Sequence, residues 1–133
     1  MTDLISNGRL EFGIGSGAYQ REFDRMFPGL KQSDAWRYMQ ESLPAVKALW
    51  KGDYEHKGEF WSFPMSTSVP KPIQKPHPPI WVAARAPITY DFAVEHECNI
   101  MSWPLTRPMS EAELYKSRLD EAMEKFPNKP KPI

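Results

Sequence analysis

The sequence predicts an α/β fold of about three parallel strand–helix units with a β-hairpin insertion. Short runs of strand-forming residues recur along the chain, and helical apolar patterns follow them. Alternating aromatic residues also flank a Lys57-Gly58 turn, which is typical of a hairpin. Strands that alternate with helices pair in parallel through right-handed crossovers, so the ends of these strands should share one edge of a sheet.

The first unit begins with Asp3–Gly8, which is predicted to be a helix end and a turn, because Asn7-Gly8 is a strong turn signal. The following segment, Arg9–Ile14, is predicted to be a strand. Its apolar residues alternate and would share one face; they are Leu10, Phe12 and Ile14.

A glycine-rich turn, Gly15-Ser16-Gly17, closes this strand. Glycines permit positive φ and leave backbone N–H groups bare, which suits an anion or a flat ring. An ordinary turn is the alternative interpretation of so short a motif.

A long helix is predicted over Ala35–Trp50, with Ser33 as its N-cap and a kink at Pro44. Its apolar residues are spaced by three and four and are more typical of core than of a cofactor site; they are Trp36, Met39, Leu43, Val46 and Trp50. The long segment before it, Ala18–Ser33, is predicted to contain a short helix at Arg21–Met26.

The hairpin is predicted over Asp53–Phe63, with Tyr54 and His56 on one arm and Phe60 and Phe63 on the other. We expect His56 to be a surface residue of its strand. The proline-rich connector Pro64–Pro79 follows, and its His77 is interpreted as a hydrogen-bonded loop residue, because no second ligand stands at metal spacing.

The stretch Pro78–Pro87 is the centre of the predicted site. Its apolar run, Ile80–Val82, is a buried strand, and Pro87 suits the first turn of a helix. Arg85 would lie at the carboxyl end of the strand, beside a helix N-terminus that attracts anions. The alternative is an ordinary core strand whose arginine points to solvent.

The last predicted elements are a helix at Ile88–Glu97, a strand at Asn99–Trp103 and a loop at Thr106–Met109. Ser110 and Glu113 are predicted to form a capping box for a final helix. Its apolar stripe comprises Ala112, Tyr115, Leu119, Ala122 and Phe126.

Composition excludes several classes of function. The 17 basic and 17 acidic residues balance, which argues against a nucleic-acid surface or a polybasic membrane binder. The one cysteine, Cys98, permits no internal disulfide and fits a reducing, cytoplasmic compartment. No apolar run reaches membrane-spanning length. Both termini are expected to be cut from something longer.

Four stretches in register resemble the bacterial luciferase-like flavin-dependent monooxygenases. They are SNGRLEFGIGSGAYQREFDRMF, ESLPAVKALWKG with HKGEFWSF, PIQKPHPPIWVAARAP and CNIMSWPL, and together they cover nearly the whole chain. The resemblance implies a TIM (β/α)8 barrel that uses reduced flavin mononucleotide (FMN) and dioxygen to oxidise a small organic substrate. It also implies a separate flavin reductase as partner.

The resemblance also implies site residues. Gly15, Ser16 and Gly17 would lie at the barrel mouth near the flavin, and Tyr19 near its phosphate or ring edge. The phosphate turn would be Ala83, Ala84, Arg85 and Ala86, while Ser102 and Trp103 would lie beside the isoalloxazine ring. No residue receives a catalytic role and no metal is expected.

This chain departs from the family in two respects. The phosphate turn of the luciferase α subunit is rich in hydroxyls, whereas here it holds Arg85 and Pro87. We therefore expect Arg85 to replace hydroxyl donors by charge.

The second departure is length. Since a barrel takes about 250 residues, residues 1–133 would be a single incomplete domain, the central portion of the barrel. Its open sheet edges predict homo-oligomer formation, and the isolated chain is expected to be inactive.

Two alternatives stay open at this point. One is a deazaflavin-dependent oxidoreductase of the same superfamily, which would use the same barrel mouth. The other is a non-catalytic remnant that acts as a packing or interaction module. Titration with each flavin separates these possibilities.

Overall fold

The computed structural model describes residues 1–104 and 108–133. Within these residues the elements are, in chain order, α1 (Thr2–Ile5), β1 (Phe12–Ile14), α2 (Gln20–Met26), a 3₁₀ turn (Gln32–Asp34), α3 (Ala35–Lys51), β2 (Tyr54–Lys57), β3 (Ser62–Ser66), β4 (Ile80–Ala83), α4 (Pro87–Glu95), β5 (Asn99–Met101) and α5 (Met109–Lys125). Thr106 and Arg107 of the predicted loop Thr106–Met109 lie outside the described residues, and Met109 begins α5.

The chain forms two compact units. The first comprises Met1–Leu10 and Gly15–Pro78, and the second comprises Glu11–Ile14 and Pro79–Ile133. Among the described residues, no helix is long and apolar enough to cross a membrane.

The second unit contains a three-stranded sheet in the order β1-β4-β5. Both pairings are parallel: Ile14 lies opposite Val82, and Val82 lies opposite Ile100. The parallel α/β prediction is therefore confirmed. The outer edge of β5 is contacted by the chain's last residue, because the Ile100 N–H donates to the Ile133 carbonyl at 3.2 Å.

Helices α4 and α5 supply the core of the second unit. Tyr90 and Val94 of α4 pack with Tyr115 and Ala122 of α5, and Leu119 and Phe126 pack against this cluster. The apolar stripe predicted for the last helix is therefore the buried face of α5. The thiol of Cys98 is also buried, at 1% exposure.

The first unit is built on α3 and the hairpin. Leu43 of α3 is fully buried and Met39 nearly so, as the stripe predicted. β2 and β3 pair antiparallel, with His56 opposite Phe63, so the predicted hairpin is confirmed. Helix α1 is held by Asp3, whose Oδ2 accepts the backbone N–H of Ile73 at 2.8 Å.

Strand β1 is shorter than the predicted Arg9–Ile14, because its first residues are engaged elsewhere. The Arg9 N–H donates to Ser6 Oγ at 3.2 Å, which draws this residue back toward α1. The Leu10 carbonyl accepts a hydrogen bond from the Gln74 side chain at 2.7 Å. Strand β5 likewise ends at Met101 rather than Trp103.

Both predicted helix caps are wrong. Ser33 lies inside the 3₁₀ turn, and the N-cap of α3 is Asp34. Ser110 lies inside α5, whose N-cap is Pro108, a residue with no side-chain acceptor. Because Ser110 already has helical geometry, it cannot form a capping box with Glu113.

Of the two histidines discussed in the sequence analysis, the structure contradicts the prediction for His56 and agrees with that for His77. The side chain of His56 is only 13% exposed and lies 2.9 Å from Glu41, so the surface assignment is wrong. His77 is hydrogen-bonded through Nδ1 to the Pro78 carbonyl at 2.8 Å, as predicted for a loop residue.

Candidate functional site

The carboxyl ends of three strands meet at one edge of the sheet in the second unit. β1, β4 and β5 end at Ile14, Ala83 and Met101, and all three run in parallel. Ligands of open α/β sheets and of α/β barrels bind at this edge. The residues that follow β4 and β5 in the chain, Ala84 and Ser102, are members of the predicted site.

The turn between β4 and α4 leads directly into a helix N-terminus. Ala84 is buried, and its N–H donates to the Met101 carbonyl at 3.0 Å. Ala86 is the N-cap of α4 and Pro87 is its first residue, as predicted. Among residues 1–104 and 108–133, no side chain caps this end. The N–H groups of a helix start carry a partial positive charge, so this turn suits an anionic group.

Arg85 projects a charged side chain from this turn. Its guanidinium side chain is 67% exposed and lies 3.3 Å from Glu111 Oε1 of α5. The same Glu111 oxygen accepts a hydrogen bond from the Tyr115 hydroxyl at 2.5 Å. That hydrogen bond, together with burial, raises the pKa of Tyr115, so this phenol stays neutral at ordinary pH.

The hydroxyl of Ser102 is engaged by the protein on two sides. It donates to the Ala84 carbonyl at 3.0 Å and lies 2.6 Å from the Tyr90 hydroxyl. Because a serine hydroxyl carries one proton, Tyr90 must be the donor in the second contact. Burial raises the pKa of Tyr90, which keeps that proton in place. Ser102 therefore offers a ligand a lone pair and no proton.

Two further residues bear on this site, Arg118 and Trp103. Arg118 of α5 donates a hydrogen bond to the Arg85 carbonyl. Trp103, which follows Ser102, is 70% exposed, so its ring is available to a ligand.

The other predicted site residues lie in the first unit. Gly17 has φ of +85°, and a Cβ there would come within 2.9 Å of the Phe23 ring, so the position requires glycine. Tyr19 is the N-cap of α2 and is 59% exposed, with the Arg21 guanidinium 5.5 Å from its ring centroid. Gly15 is exposed and Ser16 is half-buried.

The residues of the β4–α4 turn fit a flavin phosphate. A phosphate needs N–H donors and a close approach to the backbone. Alanines at positions 83, 84 and 86 leave that approach open, and Arg85 adds a fork of charged donors. Within the described residues, no group of three or more histidine, cysteine, aspartate or glutamate side chains could hold a metal ion.

Sequence reasoning missed the residues behind the turn: Tyr90, Glu111, Tyr115 and Arg118. Tyr115 was assigned to the apolar stripe, and its spacing of four from Glu111 was the available signal for their hydrogen bond. No sequence signal connects Arg118 with a carbonyl 33 residues away.

Comparison with known proteins gives a consistent result. A family model described as luciferase-like monooxygenase matches residues 1–133. The chain is 52% identical over 126 residues to the oxygenase component of a flavin-dependent trigonelline monooxygenase from Acinetobacter baylyi, covering 95% of this chain and 35% of the relative. It is 29% identical over 121 residues to an FMNH2-dependent dimethylsulfone monooxygenase from Pseudomonas putida, covering 90% of this chain and 32% of that protein.

A solved structure agrees with these relatives. Monooxygenase RslO1 from Streptomyces bottropensis superposes with a TM-score of 0.82 at 28% identity, covering 96% of this chain and 39% of RslO1. The chain spans about a third of the length of the curated relatives it matches. The fold is therefore α/β and corresponds to part of the larger RslO1 fold.

Proposed function

Because this chain belongs to the luciferase-like monooxygenase family, we propose that it is part of an oxygenase that uses reduced FMN and dioxygen to oxidise a small organic substrate. The single observation that carries this proposal is the 52% identity to the Acinetobacter oxygenase component over 95% of the chain. Trigonelline is accordingly the first substrate to test. Bound reduced flavin would supply the chemistry with dioxygen, and the protein would bind it, orient it and exclude water.

The proposed phosphate site is the turn Ala83–Ala86. The backbone N–H groups of Arg85 and Ala86 would donate to the phosphate, and the Arg85 guanidinium would add charge. What supports this assignment is the N-terminus of α4, which no side chain of the described residues caps, beside an exposed arginine.

The ring of the flavin would be contacted by the remaining predicted residues. Trp103 offers an exposed aromatic face, and Ser102 offers an acceptor. Gly15, Ser16, Gly17 and Tyr19 belong to the first unit, and their role near the flavin stays a prediction.

We also propose the context in which the chain works. Residues 1–133 would form the central portion of a barrel, since the matched relatives are about three times longer. The Acinetobacter relative is an oxygenase component, which supports a second component, and we propose a flavin reductase. The single cysteine of the sequence fits a reducing environment, so the cytoplasm is the proposed compartment. Association of copies through sheet edges stays a prediction, checked by sedimentation of the purified chain.

A flavin titration tests the cofactor assignment. FMN is added to purified protein and its fluorescence is followed; saturable quenching is expected. A parallel titration with deazaflavin decides between the two cofactors, and preference for deazaflavin would favour the oxidoreductase alternative. If neither flavin binds, the non-catalytic module gains support and the cofactor assignment fails.

A segment exchange tests the activity. Residues 1–133 replace the similar segment of the Acinetobacter relative, and oxygen uptake with trigonelline, reduced FMN and a reductase is measured. Activity is expected, because 52% of the aligned residues are already identical. The control carries Arg25→Ala in the exchanged segment, at an exposed residue of α2. A folded exchange protein that binds FMN but shows no trigonelline-dependent oxygen uptake would overturn the monooxygenase assignment.

A further inference from the structure

The carbonyl groups of the β4–α4 turn are held by side chains from outside the turn. The Ala84 carbonyl accepts the Ser102 hydroxyl at 3.0 Å, and the Arg85 carbonyl accepts the Arg118 guanidinium. Ser102 follows β5, whereas Arg118 lies on α5. Two separate elements therefore fix two successive peptide planes.

Fixing a carbonyl also fixes the next N–H group. A trans peptide is planar and points its C=O and its N–H in opposite directions. The peptides on either side of Arg85 are trans, because the cis bonds of the described chain precede Pro70 and Pro76. When Ser102 holds the Ala84 carbonyl, the Arg85 N–H must point the other way. When Arg118 holds the Arg85 carbonyl, the Ala86 N–H must do the same.

The N–H groups of Arg85 and Ala86 are the donors that this arrangement aims. In the part of the chain that the structure describes, neither the Arg85 N–H nor the Ala86 N–H has a hydrogen-bond partner. Both residues are exposed, so the groups are open to a ligand. The two carbonyls are thus bound by protein side chains, and the two N–H groups that follow them are left for a ligand.

We propose that Ser102 and Arg118 are positioning residues for the flavin phosphate, which they serve by aiming the N–H groups of Arg85 and Ala86. The proposal rests on the proposed function, because it takes the phosphate of FMN as the ligand of this turn. Tyr90 supports Ser102, since its buried hydroxyl donates to Ser102 Oγ at 2.6 Å and so directs the serine proton to Ala84.

The test compares FMN with riboflavin, which lacks the phosphate. Both are titrated into the wild-type protein and into Ser102→Ala and Arg118→Ala. Wild-type protein should bind FMN at least about tenfold more tightly than riboflavin, since charge-assisted hydrogen bonds contribute about 1.5–3 kcal/mol. Each variant should lose about fivefold to tenfold of FMN affinity, the effect of about one hydrogen bond, while riboflavin affinity should change by less than about twofold. A merely structural role would weaken both ligands alike.

Matched variants sharpen the test. Ser102→Thr keeps the hydroxyl and Arg118→Lys keeps a charged donor, so both should retain most of the preference for FMN. Lys116→Ala removes one positive charge from the same helix, at a side chain that is 78% exposed, and should leave both affinities unchanged. An equal loss in Lys116→Ala and Arg118→Ala would assign the effect to net charge and overturn the positioning role.

The outcomes separate the inference from the function on which it rests. If wild-type protein prefers FMN and the two alanine variants keep that preference, the positioning role is wrong and the phosphate site stands. If wild-type protein binds FMN no better than riboflavin, the phosphate site itself is wrong, and the inference fails with it. Melting temperatures of all variants, measured without flavin, identify any variant that has lost its fold.

Discussion

The Glu41 carboxylate lies 2.9 Å from the His56 imidazole, and it anchors the whole turn of the hairpin to helix α3. Its two oxygens also accept the backbone N–H groups of Glu59, Phe60 and Trp61, at 3.0, 3.0 and 2.8 Å. Both side chains are largely buried, at 14% and 13% exposure. One carboxylate thus satisfies three backbone donors of this turn, which also pairs the Gly58 N–H with the Trp61 carbonyl at 2.9 Å.

Glu41→Gln should therefore destabilise the chain. The amide keeps the shape but has one acceptor oxygen instead of two, so backbone donors lose partners at a cost of about 1–3 kcal/mol. Urea unfolding followed by tryptophan fluorescence measures the loss. Glu55→Gln, on the neighbouring exposed position of β2, is the matched control and should change stability little. Equal midpoints for Glu41→Gln and wild type would contradict the anchoring role.

The same carboxylate predicts a pH dependence. Burial acts to raise the pKa of Glu41, but the N–H of Phe60, His56 and the other turn donors outweigh it, and the pKa is lowered from 4.5. The stabilisation is present above the unfolded pKa and is lost as pH falls through the folded one. Wild-type stability should fall as pH drops below about 4.5, and the fall should be shallower in Glu41→Gln. Parallel curves would exclude Glu41 as the titrating group.

Asp3 gives a further prediction, for the connection between α1 and the proline-rich segment. Its carboxylate accepts the backbone N–H of Ile73 and Gln74 and the side-chain amide of Gln74, at 2.8, 3.1 and 2.8 Å. Burial would raise the pKa of Asp3, yet the hydrogen bonds from Gln74 and Ile73 lower it. Asp3→Asn should release residues 73–74, which faster amide exchange of Ile73 would report. Unchanged exchange would mean that backbone packing alone holds this segment.

Arg85→Ala tests the charge proposed at the phosphate turn. FMN affinity should fall about tenfold or more, because a charge-assisted bond to phosphate is lost. Riboflavin affinity should not change. Arg25→Ala, an exposed arginine on α2, serves as the control for net charge. Identical FMN affinity in Arg85→Ala and wild type would leave the backbone N–H groups as the phosphate donors.

The tyrosine network predicts a spectroscopic change. Glu111 raises the pKa of Tyr115 mainly through the hydrogen bond of 2.5 Å between them. Glu111→Gln removes the negative charge, so the Tyr115 phenol should ionise at lower pH than in wild type. Absorbance at the phenolate band during alkaline titration measures this, and Tyr115→Phe identifies which transition belongs to Tyr115. A titration curve unaltered by Glu111→Gln would rule out the contact.

Leu43 tests the core of the first unit. It is fully buried on α3, so Leu43→Ala should cost about 2–5 kcal/mol by leaving a cavity. Leu114→Ala, at a leucine that is 46% exposed, should cost much less. Urea unfolding of both variants gives the comparison, and similar losses would contradict the assigned burial.

The sequence predicted the elements well because their signals are local. The alternation and spacing of apolar residues placed β4, α3 and the hairpin, and Pro87 marked the start of α4. The wrong predictions concern segments whose structure depends on contacts with residues far away in the sequence. Strand β1 is shorter than predicted because the Leu10 carbonyl accepts a hydrogen bond from the side chain of Gln74, which is 64 residues away.

The candidate site also combines residues with local sequence signals and residues that only distant contacts bring in. Arg85 and the small residues around it were visible from the sequence, since strand, turn and helix start are contiguous. Glu111 and Arg118 were not, because they reach the turn across 26 and 33 residues. His56 was misassigned for a related reason: its burial depends on Glu41, which is 15 residues away on another element.

The buried thiol of Cys98 makes the chain its own unfolding sensor. It is the single cysteine of the sequence and is 1% exposed, with Sγ 3.6 Å from the His96 carbonyl. A thiol reagent can react only when the second unit opens. The labelling rate in native buffer therefore reports how often that unit opens, with no engineered probe, and added FMN should slow it if flavin binds there.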